Sequence, residues 1–308
     1  MLGRKIKKLK NWLQNRHNLQ LFRLRLAEDR QKTALYRAVL ISHELSATGA
    51  PLMLLAAAEA ILADGGSVRV LAYMDGPLRE KFEKLGIPVF YHPGFRDNAR
   101  LLNEFGGDCA YAVANTAVAY PAVSLLRGPR VLWWIHEAQV IEKDYIARFR
   151  QKKFRPDLEQ TLRQAGKLAV VSDYAREIAA KYNPRVEVIH PAVADVAKEQ
   201  GLQPKQPAEK IRFAMLGAVC EIKGQDVLLK AVRLLPAAYR AQAEFHIAGR
   251  RDGAFAEDLA AESGDLPEVV WEESRSRDNL WDFYRENDVI MVASRDESFS
   301  LVALEACM

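Results

Sequence analysis

Two glutamates, a lysine and a histidine stand where short apolar runs give way to loops, and their types and spacing set out the chemistry open to this 308-residue chain. Glu297 and Glu305 lie eight positions apart in Ser294-Arg295-Asp296-Glu297-Ser298-Phe299-Ser300-Leu301-Val302-Ala303-Leu304-Glu305-Ala306, a loop that runs into a helix expected to begin near Phe299. Glu297 precedes that helix and Glu305 sits about a turn and a half inside it. Both can therefore face one ligand lying across the helix start and accept hydrogen bonds from sugar hydroxyls. Amides around Ser298 to Leu301 would face the same ligand. Two acids at this spacing, among forty in the chain, are by themselves unremarkable.

A second loop, Gly217-Ala218-Val219-Cys220-Glu221-Ile222-Lys223-Gly224, opens onto the helical run QDVLLKAV. A lysine beside a glycine at a helix N-terminus adds a point charge to the positive end of the helix, and both favour a phosphate oxygen. A solvated surface lysine is the competing reading. In a third loop, Ser42 to Pro51, Gly49 allows close backbone approach and Pro51 suits a first helical turn, so this too reads as a phosphate-facing helix start or else as a plain tight turn. The fourth loop follows Trp133-Trp134-Ile135 and carries His136, which could hydrogen-bond a sugar hydroxyl or stabilise developing charge, or could be a structural histidine. The other histidines, His17, His43, His92, His190 and His246, show no metal-ligand spacing.

These loops need a scaffold, and the hydropathy pattern supplies one. Ala38–Ser42, Ser67–Tyr73, Ile87–Tyr91, Cys109–Ala114, Arg130–Ile135, Leu168–Ser172 and Val186–His190 are short apolar runs rich in β-branched and aromatic residues. Helical stretches such as Pro51–Asp64 and Tyr174–Tyr182 lie between them. Strands alternating with helices predict a parallel sheet covered on both faces, a doubly wound α/β domain. The polar stretch 196–210 breaks the rhythm and reads as a linker between a domain at 37–195 and a second at 211–308. The second domain offers four strands, Ile211–Leu216, Phe245–Ala248, Val269–Trp271 and Val289–Val292, before the chain stops inside a helix. A complete sheet of this type would want about two more strands, so truncation at the C-terminus is expected. In such sheets ligands bind beyond the carboxyl ends of the strands, which is where all four loops fall.

Composition narrows the class. Hydrophobic residues at 49% and charged residues at 27% are those of a globular protein, excluding a disordered chain. Three separated cysteines, Cys109, Cys220 and Cys307, form no disulfide framework and fit a reducing cytoplasm. No GxGxxG or GxxxxGK[ST] sequence is present, so dinucleotide and P-loop chemistry lose their main support. Residues 1–36 form a basic leader. Arg4, Lys5, Lys7, Lys8, Lys10, Arg16, Arg23, Arg25 and Arg30 against two acids give residues 1–30 a charge of +7, leaving −3 for the rest of a chain of net +4. Ile6, Leu9 and Leu13, then Leu19, Phe22 and Leu26, fall at i, i+3, i+7 and make one face apolar. Such a helix could lie on an anionic membrane, together with the cluster Arg148, Arg150, Lys152, Lys153 and Arg155. It could equally be a solvated arm, or pack on its own domain.

Taken together, the E-x7-E spacing from Glu297 to Glu305, the G-x5-K-G-x-x-x-L-L run (Gly217, Lys223, Gly224, Leu228, Leu229) and the loop Ser42–Pro51 resemble family 4 retaining glycosyltransferases in order and position. The resemblance covers about residues 37–308. It implies the GT-B architecture of two facing Rossmann-like domains, with the second holding a nucleotide-sugar donor in the cleft. By the same resemblance Lys223 meets the diphosphate, Glu305 the ribose, Glu297 the sugar ring, and the backbone around Ser298, Phe299, Ser300 and Leu301 the phosphate and sugar. Gly49 would close on the diphosphate from the other domain, and Glu297, Lys223 and His136 would be the catalytic residues.

Two positions depart from the family pattern. Ala218 stands where the family often has arginine, so Arg250 or Arg251 is a candidate substitute cation, and Ser300 stands where glycine is usual. Departure of a nucleoside diphosphate concentrates negative charge on the β-phosphate, so Lys223 and fixed helix dipoles would stabilise the transition state more than the ground state. No metal or other cofactor is expected. The expected reaction moves a hexosyl group with retention to a hydroxyl of a glycan or lipid-linked acceptor, in cell-envelope or exopolysaccharide synthesis, by a cytoplasmic protein peripheral to the inner face of the plasma membrane. A glycoside hydrolase using the two glutamates, or a non-catalytic nucleotide-sugar binder, are the alternatives; no nucleic-acid partner is expected.

Overall fold

The computed structural model describes residues 2–142, 158–193, 209–275 and 279–308. The chain divides into two compact units, Met1–Pro191 and Ala192–Met308. The first is built on a seven-stranded sheet: β1 (Arg37–Ser42), β2 (Ser67–Ala72), β3 (Val89–Tyr91), β4 (Tyr111–Asn115), β5 (Arg130–Ile135), β6 (Lys167–Val170) and β7 (Glu187–Val188). Its order is β3-β2-β1-β4-β5-β6-β7, with every pairing parallel. The order reverses at β1, so the loops after β1 and β4 diverge to opposite sides and leave space for a ligand at the carboxyl edge. Strands covered on both faces are apolar at most positions, and β1 is buried from Ala38 to Ser42. One face packs Leu40, Val70 and Phe82, the other Val39, Phe90 and Phe105.

The helix Leu2–Gln31 is not a free leader. Phe22 and Leu26 are buried in the cluster formed by Val39, Phe90 and Phe105, and Leu19 packs against that cluster. Phe22 meets Phe90 edge to face, with centroids 5.6 Å apart. Three basic residues of the helix are also engaged, Arg23 with Glu104 at 2.5 Å, Arg25 with Glu83 at 3.1 Å and Arg30 with Asp108 at 3.1 Å. Arg69 in the middle of β2 is 1% exposed and sits between Asp29 of the helix (3.0 Å) and Asp108 (2.8 Å). A guanidinium buried this deeply needs both carboxylates, so Asp29 ties the helix to the sheet. Of the three readings open for this stretch, packing on its own domain is the one realised from Leu19 to Arg30. The cluster from Arg148 to Arg155 lies outside the described residues, as does most of the 196–210 linker.

The second unit carries β8 (Ile211–Leu216), β9 (Ala243–Ala248), β10 (Val269–Glu272) and β11 (Val289–Ile290) in a parallel sheet ordered β10-β9-β8-β11. Phe245 and Ile247 pack against Leu229 and Val232 of the helix Gln225–Leu234, and Ala214 and Ala248 against Phe283 on the other face. The last strand is shorter than the apolar run Val289–Val292 suggests. The C-terminal helix spans Leu301–Ala306, two residues later than expected, because Ser300 takes extended backbone geometry and its hydroxyl caps the Ala303 N–H at 3.2 Å.

Candidate active site

In the second unit the two loops singled out by sequence meet at the carboxyl ends of β8 and β11. Gly224 adopts φ +78°, the left-handed geometry that turns the chain into the helix Gln225–Leu234. A Cβ at this position would lie 2.2 Å from the Ala293 carbonyl oxygen, so only glycine lets the β8 loop close against the end of the β11 segment. That closeness brings Lys223 to Glu297: Nζ and Oε2 are 2.7 Å apart, with the two side chains 36% and 27% exposed. The Ser294 hydroxyl donates to the same Glu297 oxygen at 3.2 Å. Gln225 braces the β8 loop from within, its amide donating to the Ala218 carbonyl at 3.1 Å and its oxygen accepting from the Cys220 N–H at 3.4 Å.

Glu305 occupies the fifth position of the last helix and is 4% exposed. The Tyr284 hydroxyl donates to its Oε2 at 2.7 Å, which fixes the carboxylate's orientation. Glu297 and Glu305 are thus held by different partners, a lysine for the first and a phenol for the second. Ser298 and Phe299 lie in the bend before the helix, while the Ser300 side chain is committed to its cap and Leu301 is the first helical residue. Arg250 and Arg251 follow β9 and each has an acidic partner. Arg250 lies 2.7 Å from Asp252, and Arg251 lies 3.3 Å from Glu273 with its guanidinium over the Trp271 ring.

The first unit gathers a separate polar cluster at the ends of β1, β4 and β5. Gly49 opens the helix Gly49–Ala63, whose cap residue Thr48 makes no side-chain capping bond. His136 follows β5, packed against Trp134 with ring centroids 4.6 Å apart, and its buried Nε2 has no hydrogen-bond partner. Burial pushes its pKa down to about 4, so the imidazole is neutral at physiological pH. Beside it, burial raises the Glu137 carboxyl, against the opposing pull of backbone N–H groups including Ala117, 3.0 Å from Oε2. Thr116 joins the cluster with φ +75°, an unusual strain for a β-branched residue. It is held there by its N–H to the Trp134 carbonyl (2.8 Å) and by the Trp133 indole, which donates to its carbonyl (2.8 Å). Its hydroxyl is 3.2 Å from Nδ1 of His43, which burial keeps toward the neutral form.

Sequence reasoning did not find Tyr284, Gln225 or Thr116. Gln225 directly follows the Lys-Gly pair and was within reach of inspection; the other two are defined only by partners distant in sequence.

Residues 36–193 match the sequence profile described as Glycosyl-transferase family 4, and residues 197–308 match that of Glycosyl transferases group 1. The chain belongs to glycosyl-transferase family 4. Among its relatives is a D-inositol 3-phosphate glycosyltransferase of Mycolicibacterium gilvum, 32% identical over 165 residues, covering 48% of this chain and 36% of the relative. Its counterpart in Mycolicibacterium vanbaalenii is 35% identical over 143 residues, 40% of this chain and 31% of the relative. The chain spans about a third of the length of these curated relatives. Among solved structures, Anabaena Alr3699/HepE in complex with UDP-glucose is similar with a TM-score of 0.67 at 16% identity, over 88% of this chain and 78% of that one. A glycosyltransferase from Rickettsia africae ESF-5 is similar with a TM-score of 0.61 at 14% identity, over 88% and 77%. At such identities the likeness establishes the fold, the Rossmann-like α/β type of GT-B glycosyltransferases.

Proposed function

We propose that this family 4 chain transfers a hexosyl group, with retention, from a nucleoside-diphosphate sugar to a hydroxyl of a glycan or lipid-linked acceptor. The observation that carries the reading is the pairing of Lys223 and Glu297 across two strand-end loops, with the buried Glu305 one helix turn further on. A cation able to meet a diphosphate, a carboxylate able to meet sugar hydroxyls and a second, oriented carboxylate able to meet a ribose are the three kinds of group that such a donor needs. Alr3699/HepE, similar in fold, binds UDP-glucose, which supports a nucleotide-sugar donor here.

In this reading Lys223 leaves Glu297 for the diphosphate as the donor enters, and Glu297 turns to the sugar ring. Charge that builds on the departing β-phosphate meets a fixed cation, so stabilisation is greatest at the transition state. Lys223 and backbone amides supply that positive potential, and the transfer proceeds without a metal. The acceptor hydroxyl attacks from the face that the diphosphate leaves, and the diphosphate takes its proton. His136, neutral and with an unfilled Nε2, contributes a hydrogen bond to a sugar hydroxyl. A role in cell-envelope or exopolysaccharide synthesis follows if the acceptor is lipid-linked, with the protein at the inner face of the plasma membrane. Because Phe22 and Leu26 are buried within the first unit, membrane contact then rests on the more basic start, Arg4 to Lys10. Among the described residues no helix is long and apolar enough to cross a membrane.

The test is turnover. The intact chain is incubated with UDP-, GDP- and ADP-sugars and a panel of glycan acceptors, and diphosphate release and product anomer are followed by NMR. Consumption of one donor with retained configuration is expected. Hydrolysis of simple glycosides without any nucleotide would overturn the reading in favour of a hydrolase.

A further inference from the structure

Arg295 was not among the residues that the sequence pointed to, yet it bonds across the two donor loops through both its backbone and its side chain. Its backbone N–H donates to the Ile222 carbonyl at 2.7 Å, and its guanidinium donates to the Glu221 carbonyl. The same guanidinium forms a two-pronged pair with Asp226, Nη1 to Oδ1 at 2.8 Å and Nη2 to Oδ2 at 2.7 Å. Asp226 is the second residue of the helix that Gly224 opens, and Lys230 one turn on also reaches it, at 3.2 Å. Arg295 therefore grips residues 221, 222 and 226 on the two sides of Lys223. It does so from a position two residues before Glu297.

We infer that Arg295, anchored on Asp226, is a positioning residue that holds the Lys223 loop and the Glu297 loop in register for the donor diphosphate. The inference rests on the donor reading of the preceding section and adds the group that sets the lysine's place. Three features support it. The grip brackets Lys223 on both sequence sides and starts two residues before Glu297, so movement of one loop against the other must break it. A planar fork bonded to two carboxylate oxygens and a carbonyl resists rotation in a way that one ammonium contact cannot. Arg295 is 46% exposed on its side chain, and exposed ion pairs contribute little to global stability, so the ordered geometry is better explained by local placement than by folding.

The experiment is a double-mutant cycle read by NMR titration of the intact chain with UDP, GDP and ADP, continued with the tightest binder. If Arg295 acts through Lys223, Arg295→Ala weakens binding about tenfold in the native background and less than about twofold when Lys223→Ala is present, because interacting residues are non-additive. Arg295→Lys, which keeps the charge but loses the fork, gives an intermediate loss and carries the cycle if the alanine variant does not fold. Equal losses with and without Lys223, or no loss from either Arg295 variant, overturn the inference while leaving the donor site in place. No loss from Lys223→Ala alone overturns the donor reading itself.

Discussion

Lys223 Nζ and Glu297 Oε2 lie 2.7 Å apart across two loops that are separated by seventy-four positions in sequence. The pair matters because each partner is wanted elsewhere in the proposed reaction, the lysine by a diphosphate and the carboxylate by sugar hydroxyls. Held together without donor, neither charge faces water alone, and the entering donor replaces one charge-assisted bond with several. The geometry that allows the pair is set by Gly224. We expect Gly224→Ala to be costly, since it forces positive φ on an L side chain and drives a Cβ against the Ala293 carbonyl. Thermal unfolding should show a loss of at least ~1 kcal/mol, with donor affinity falling alongside. An alanine variant with unchanged melting and binding would contradict this account of the loop.

A second expectation concerns the N-terminal helix. Leu26→Ala removes a side chain that is 2% exposed in the first unit's core, and should destabilise that unit by ~2–5 kcal/mol in urea unfolding. Removing Asp29 leaves the buried Arg69 with one carboxylate fewer and should also destabilise. If Leu26→Ala unfolds at the wild-type midpoint, the helix is not part of the core.

Much of this was legible from sequence, and the exceptions share a cause. The eleven strands among the described residues overlap apolar runs, because parallel strands covered on both faces are mostly apolar. The strand-end loops followed from that. Amphipathic spacing at Leu19, Phe22 and Leu26 shows that one face must be covered but does not say by what, and protein rather than lipid covers it here. The Tyr284–Glu305 and Asp226–Arg295 contacts join residues twenty-one and sixty-nine positions apart, and no local pattern encodes such pairings. The last helix begins at Leu301 rather than near Phe299, because Ser298 and Ser300 are both good cap residues and only the folded geometry selects Ser300.

The third prediction is a pH effect at His136. Its folded pKa of about 4 lies below the free value of 6.5, so between those values the unfolded chain takes up a proton that the folded one refuses. Stability contributed at this site is therefore lost as pH falls from 6.5 toward 4, by up to about 3 kcal/mol. His136→Gln should show a shallower fall over that window in unfolding experiments than the native chain. Identical slopes would mean that the imidazole is solvated.

The fourth concerns metal. With Lys223 and backbone amides neutralising the diphosphate, transfer should be unchanged in EDTA. Activity lost to chelator and restored by Mg²⁺ or Mn²⁺ would show that the site is misread.

The central claim is that the second unit binds a nucleoside-diphosphate sugar through Lys223 and Glu305, and calorimetry tests it most directly. The nucleoside diphosphate that binds best is titrated into the native chain, Lys223→Ala and Glu305→Ala, with circular dichroism confirming that each variant is folded. Loss of a hydrogen bond to a charged group costs ~1.5–3 kcal/mol, so each variant should bind about ten- to a hundredfold more weakly. Unchanged affinity in both folded variants would contradict the account.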